Sequence, residues 1–248
     1  MTETWFPFCN RRDGPLSKTG YYGIGTYRDL NIIRGEVKHS AEGGRAGMYA
    51  VLDDPNRQAS WNFSIFKSGP PDQHYPLETI TWTSGGPYPN TAFVGMEHEG
   101  GGPDNLGEPL TENQIHWTTE ITKEIRRLCS EVGSYFPSRV GGFPPGGHAN
   151  LFEHNEMTHY GSASTLCPNG RIPWGEIIKR LTEVNMGTVD VRLVKRMHDD
   201  KVYEVFDGTT GIYLVHIPDA KYLVPGAKIE TLDDKDPIFN HVTVSREA

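Results

Sequence analysis

Nowhere in this 248-residue sequence do 18 uncharged apolar residues follow one another, so no segment has the length and polarity of a membrane-spanning helix. The first residues, MTETWFPFCNRRDGPL, lack a basic start followed by an apolar core, so export through a signal peptide is not expected either. Basic residues are in deficit: 24 Lys and Arg face 32 Asp and Glu, a formal charge of −8. That balance, with no run of Lys and Arg along one helix, argues against nucleic acid as a partner. Cysteine is scarce too. Cys9, Cys129 and Cys167 are too few and too scattered for a disulfide framework, and their odd number leaves at least one free. Internal repeats and low-complexity tracts are missing.

What is present describes a soluble globular chain with long connections: 36% hydrophobic residues, 23% charged, 28 Gly and 18 Pro. The length suits one core of ordinary size with a small second module left over. Residues 1–30 have no clear period and read as an irregular arm. Residues 32–39 alternate as a strand, and 42–52 have the content of a short helix. Residues 58–69 and 74–82 read as two further strands joined by a hairpin or tight loop, and 91–100 as a buried strand entering a glycine-rich loop. The strongest helix spans 110–136. Thr111 is its N-cap, Gln114 stands where a capping box needs it, and Ile115, Thr118, Ile121, Ile125 and Leu128 form its apolar stripe. A second helix is expected over 174–181, with Pro173 near its first turn. After residue 184 come short β-like runs at roughly ten-residue spacing. The expected organisation is an arm over 1–30, a main domain over 31–184 and a small β-rich module over 188–248.

Three residues have side chains suited to zinc and sit in loops or at strand ends: His39, His154 and Cys167. Two imidazoles and a thiolate leave a fourth tetrahedral position free, the pattern of a catalytic rather than a structural zinc site. With ten histidines in the chain, surface or core roles compete with ligation. Glu97 interrupts an otherwise apolar strand beside Val94 and Met96. A carboxylate there needs a partner or a purpose, and desolvation would raise its pKa toward that of a general base.

The segments EVKHSAEGG, NTAFVGMEHEG, LTENQ and HNEM followed by CPNGRIPW occur in that order. Together they resemble the type 2 N-acetylmuramoyl-L-alanine amidases, the family of phage endolysins and animal peptidoglycan recognition proteins. The resemblance covers roughly residues 32–181. It implies a mixed central β-sheet flanked by helices, with zinc held by His39, by His154 of an H-x-E stretch ending at Glu156, and by Cys167 before Pro168. His159 competes for the second ligand position. Where some relatives carry a catalytic tyrosine, this sequence reads Trp61-Asn62-Phe63. That leaves Glu97, which matches the glutamate of the other subset, as the implied base; a structural ion pair is its alternative. Thr165, two residues before Cys167, matches a position that stabilises charge on the scissile carbonyl, or else caps the loop. Asn90 and Gln114 match family positions of structural character. Trp82, Tyr88 and the loop from Gly100 could line a groove for sugar or peptide.

The resemblance thus implies hydrolysis of the amide between N-acetylmuramic acid and L-alanine in bacterial peptidoglycan, by a monomeric enzyme of the phage endolysin type. Such a protein is made in the cytoplasm without a signal peptide and acts at the cell wall after release. The β-rich module is expected to bind the wall, by analogy with lysins, or to be a structural appendage. Three alternatives stay open: a cytoplasmic amidase recycling wall fragments, a non-catalytic peptidoglycan binder on the same fold, and a cysteine hydrolase built on Cys167 with His154 or His159.

Overall fold

A computed structural model of the chain describes residues 3–182 apart from 22, 134–136, 138 and 140–148; beyond 182 it describes only the backbone of four strands. The chain divides into two units, Met1–Thr182 and Glu183–Ala248.

The first unit is organised by a six-stranded mixed sheet: β1 (Asn10–Arg11), β2 (Gly35–Ser40), β3 (Phe63–Ile65), β4 (Asp72–Gln73), β5 (Phe93–His98) and β6 (Leu151–Glu153), in the order β1-β4-β3-β5-β2-β6. The strand expected over 32–39 and the one expected over 91–100 are its centre. They run parallel, with Lys38 opposite Met96 and His39 opposite Glu97. Alternation along these strands sends Glu36, Lys38, Val94 and Met96 toward α3 (Glu112–Leu128), where Ile121 and Ile125 join the main hydrophobic cluster. Val37 and Phe93 go to the other face, into a second cluster with Phe152 and Met157. His39 and Glu97 share that second face and lie at the C-terminal end of the strands, outside its apolar packing.

Helix α3 begins as its sequence dictates. The Thr111 hydroxyl accepts the Gln114 N–H at 3.3 Å and the Gln114 side chain accepts the Thr111 N–H at 3.0 Å, a complete capping box. It ends earlier than the expected 136. Cys129 leaves helical geometry (φ −104°, ψ 100°) and packs its thiol in the cluster that holds Phe6 and Ile33, before the short α4 (Ser130–Gly133). Residues 134–136 lie outside the described residues. Around the sheet pack α1 (Arg45–Asp53), α2 (Pro87–Ala92) and α5 (Trp174–Thr182), the last of these over the expected 174–181.

The strand expected over 74–82 does not form. The ladder stops at Gln73, and only Thr79 and Thr81 make single bridges, to Tyr27 and Thr19. Pro76 has no N–H to give a ladder, and neighbouring amides turn to the arm: Leu77 N–H donates to Thr4 O (3.1 Å) and Ile80 N–H to Thr26 O (2.9 Å). The arm is therefore more than a wrapping. Its Phe6 is buried in the main cluster, and Asn10–Arg11 adds a parallel edge strand beside β4.

In the second unit, β7 (Arg192–Arg196), β8 (Val202–Gly208) and β9 (Gly211–Ile217) form an antiparallel meander, and β10 (Ile229–Leu232) pairs parallel to β7. These strands coincide with the runs read from sequence. The remaining residues of the proposed wall-binding module lie outside the described residues.

Candidate active site

Parallel strands present their C-terminal ends together, and loops leaving those ends converge. His39 is the penultimate residue of β2, and His154 opens the 3-10 helix His154–Tyr160 directly after β6, which pairs with β2 through Lys38 and Glu153. The two imidazole centroids are 4.4 Å apart. Cys167 arrives from the turn before α5, anchored where the Asn155 N–H donates to its carbonyl at 2.8 Å. Its sulfur accepts the Ser40 N–H at 3.2 Å and stands 3.9 Å from His39 Nδ1. One ligand atom from each of His39, His154 and Cys167 falls within 4.8 Å of the others. His159, the competing ligand, sits exposed further along the same helix and outside the cluster.

This donor set fits zinc. Tetrahedral ligands at about 2.0–2.3 Å from a metal stand roughly 3.3–3.8 Å from one another, so little movement would close the cluster on an ion. Burial, then the charges of His154 and His98, hold His39 well below the ordinary histidine range, and burial lowers His154. Both are therefore neutral, the form that ligates. Burial and then the Glu97 carboxylate push the Cys167 thiol upward; a cation among these donors reverses that tendency. The His39 ring is oriented from behind, its Nε2 lying 3.2 Å from the Thr83 hydroxyl.

Glu97 faces the same cavity, one strand from His39 in exact register. Burial pushes its pKa up to about 8, with Arg171 opposing and Glu42 reinforcing. Among the described residues no donor comes within hydrogen-bond distance of its carboxylate. Arg171 is engaged elsewhere, donating to Glu108 O (2.6 Å), Ser40 Oγ (2.8 Å) and Glu99 O (2.9 Å). The ion-pair alternative thus has no partner in contact, and Glu97 is left open to the cavity.

Thr165 lies on the turn two residues before Cys167. Its hydroxyl accepts the Cys167 N–H at 3.1 Å, the loop-capping arrangement, and it does not line the cavity. Glu156, the acid of the H-x-E stretch, likewise turns away from the cluster. It accepts the Glu153 N–H at 2.7 Å and pairs with Arg139 at 2.6 Å, while Arg139 stacks on Trp174 at 4.3 Å. That arrangement fixes the start of the helix carrying His154. Asn90 and Gln114 hold backbone, at Ser84 N and at Ile65 and Glu99 carbonyls.

The cavity measures about 520 Å³. Besides the cluster its lining includes Met48 and Val51 of α1 with Ala59, Trp61 and Trp82. Tyr88 is not part of it; this side chain is exposed and packs on Tyr160 at 5.1 Å. Sequence reasoning missed Thr83, Arg139 and Arg171. Thr83 and Arg139 lie in segments with no readable period, and Arg171 looked like one more residue of a turn.

No protein-family model matches the sequence, and a search of curated proteins finds no match. Solved structures that the chain resembles include the N-acetylmuramoyl-L-alanine amidase LysC from Clostridium intestinale URNW (15% identity, 71% of this chain, 98% of that chain, TM-score 0.45). PlyL is similar at 14% identity over 70% of this chain and 96% of that one, TM-score 0.47. Staphylococcus aureus hydrolase AmiA in complex with its ligand is similar at 10% identity over 71% and 82%, TM-score 0.47. Solved structures that this chain resembles in fold thus include N-acetylmuramoyl-L-alanine amidases and an endolysin.

Proposed function

We propose that this chain is a zinc-dependent N-acetylmuramoyl-L-alanine amidase of the phage endolysin type, hydrolysing the amide between N-acetylmuramic acid and L-alanine in peptidoglycan. The observation that carries this reading is the His39, His154 and Cys167 cluster with the unpartnered Glu97 carboxylate on the same cavity wall. The order of motifs along the sequence supports the choice of substrate. His39, His154 and Cys167 would hold a zinc ion, which would supply Lewis acidity toward a carbonyl and a water.

The chain's own groups account for the remaining steps. Thr83 occupies His39 Nε2 and leaves Nδ1 facing Cys167, so the ring enters the cluster already oriented. Glu97 accepts a proton from the attacking water as the new C–O bond forms and delivers one to the leaving nitrogen as the C–N bond breaks. A carboxyl pushed up to about 8 by burial suits both halves of that task, because a nearby cation favours its ionised form. Trp61 and Trp82 also line the cavity and supply it with aromatic surface. Under this reading the protein acts at the cell wall after release from the cytoplasm, and its β-rich C-terminal unit binds the wall, on the analogy of two-part lysins.

The test is release of new N-terminal L-alanine from purified peptidoglycan, with and without a chelator and with zinc added back. Chelator-sensitive release restored by zinc is expected. Inhibition by thiol alkylation but not by chelation would instead favour the cysteine hydrolase, and no release from protein containing stoichiometric zinc would sink the amidase reading.

A further inference from the structure

The lining of the cavity distributes charge unevenly. Two carboxylates, Glu42 and Glu97, lie close enough for Glu42 to raise Glu97, and both act on Cys167. The one fixed positive charge among the described lining residues is Arg57. Its guanidinium does not figure among the charges acting on Glu97 or Cys167, so it stands apart from the donor cluster while sharing the same enclosure.

Arg57 is exposed, lies four residues past the end of α1, and has no ionic partner among the described residues. The acids beside it in sequence are engaged: Asp53 pairs with Arg12 at 2.7 Å, and Asp54 Oδ1 accepts the Asn56 N–H at 2.9 Å. The backbone of Arg57 is tied down by its N–H donating to Asp54 O at 3.1 Å. The result is an exposed guanidinium with no ionic partner among the described residues, on the lining of a cavity whose other charged side chains are the carboxylates Glu42 and Glu97.

We propose that Arg57 is a specificity-determining residue that binds a free carboxylate of the stem peptide within about two residues of the scissile amide. This rests on the amidase reading above. A cavity of about 520 Å³ is roughly 10 Å across, the span of about three extended residues. A carboxylate one or two residues beyond the cleaved bond therefore reaches Arg57 while the amide lies at the cluster. Placed the other way round, it would meet Glu42 and Glu97, so charge also sets the direction in which the peptide lies. The substrate class is then a stem peptide carrying a free acid near the alanine, in preference to the same peptide with that acid amidated.

The experiment uses the full-length zinc-loaded protein and two soluble muramyl tripeptides that differ only in a second-residue carboxylate or its carboxamide. Wild type should cut the carboxylate form with a KM about tenfold or more lower and a similar kcat, the scale of one charge-assisted hydrogen bond. Arg57→Gln should bring the two KM values together, and Arg57→Lys should keep part of the difference. Equal KM values in wild type, a preference that survives Arg57→Gln, or an equal loss on both peptides would each overturn the proposal. Failure of wild type to release alanine from either peptide would instead strike the amidase reading, and this assignment with it.

Discussion

On the α3 side of β2 and β5, Glu36 and Lys38 are enclosed almost completely and lie 2.8 Å apart, with Thr122 and Met96 completing the contacts of the ammonium. On the opposite side of the same strands, His39 and Glu97 stand in register, and no hydrogen bond reaches the carboxylate. Both faces remove charged or ionisable groups from water. One face closes them on each other, and the other leaves them facing a cavity. The difference teaches where to look for chemistry: a desolvated charge in contact with its counter-charge belongs to the scaffold, even where one oxygen, Glu36 Oε2, has no hydrogen-bond partner among the described residues, whereas a carboxylate on a cavity with no counter-charge in contact is available to a ligand.

The comparison breaks most sharply at Glu97. Replacing it with Gln should lower kcat by about 10²- to 10⁴-fold while metal analysis still finds zinc bound, because Glu97 is no member of the donor cluster. Loss of the metal together with the activity would show that the open carboxylate is structural after all. On the closed face the currency is stability. Lys38→Met alone should cost about 3–5 kcal/mol in denaturant unfolding by stranding Glu36, and Glu36→Leu with Lys38→Met should recover most of that loss. A single variant as stable as wild type would contradict the view that the pair is closed.

A third group sharpens the contrast. Ser64 shares the face of Glu97, opposite it on β3, yet its hydroxyl is held by Trp61 Nε1 (2.8 Å) and by His74 Nε2 (2.7 Å), whose Nδ1 meets Arg12 O at 2.8 Å. Burial pushes His74 down to about 4. The unfolded chain, with an ordinary histidine, binds the proton first, so His74 contributes its full stability above about pH 6.5 and loses it as pH falls toward 4. That loss should amount to on the order of 3 kcal/mol. Unfolding free energies of wild type and His74→Asn measured across this window should converge toward acid; parallel profiles would sink the assignment.

Much of this was legible in the sequence for physical reasons. Thr111 and Gln114 write a capping box whose geometry is local, and β5 carries an apolar run, Phe93–Met96, that suits a parallel strand covered on both faces, whereas β2 shows itself only by alternation. Glu97 could be singled out because a carboxylate within such a run contradicts its surroundings. His39, His154 and Cys167 were named by chemistry and motif order, but only the fold separates His154 from His159. What stayed hidden depends on distant partners. Residues 74–82 look like a strand until Thr4 and Thr26 claim their amides, and Thr83 and Arg139 act through contacts across the fold. Thr165 was singled out by its place in a motif, and the fold adds that its hydroxyl accepts the Cys167 N–H in the turn.

Gly95 stands between Glu97 and the apolar end of β5, and a Cβ there would overlap the Thr83 side chain. The space left by that missing methyl is what admits Thr83 to His39 Nε2. The orientation of an imidazole on one strand is thus written as an absence on the next. Under the zinc reading proposed above, a side chain at this position would detune the affinity for metal without touching His39, His154 or Cys167, through the rotational freedom returned to a ring that had lost its brace.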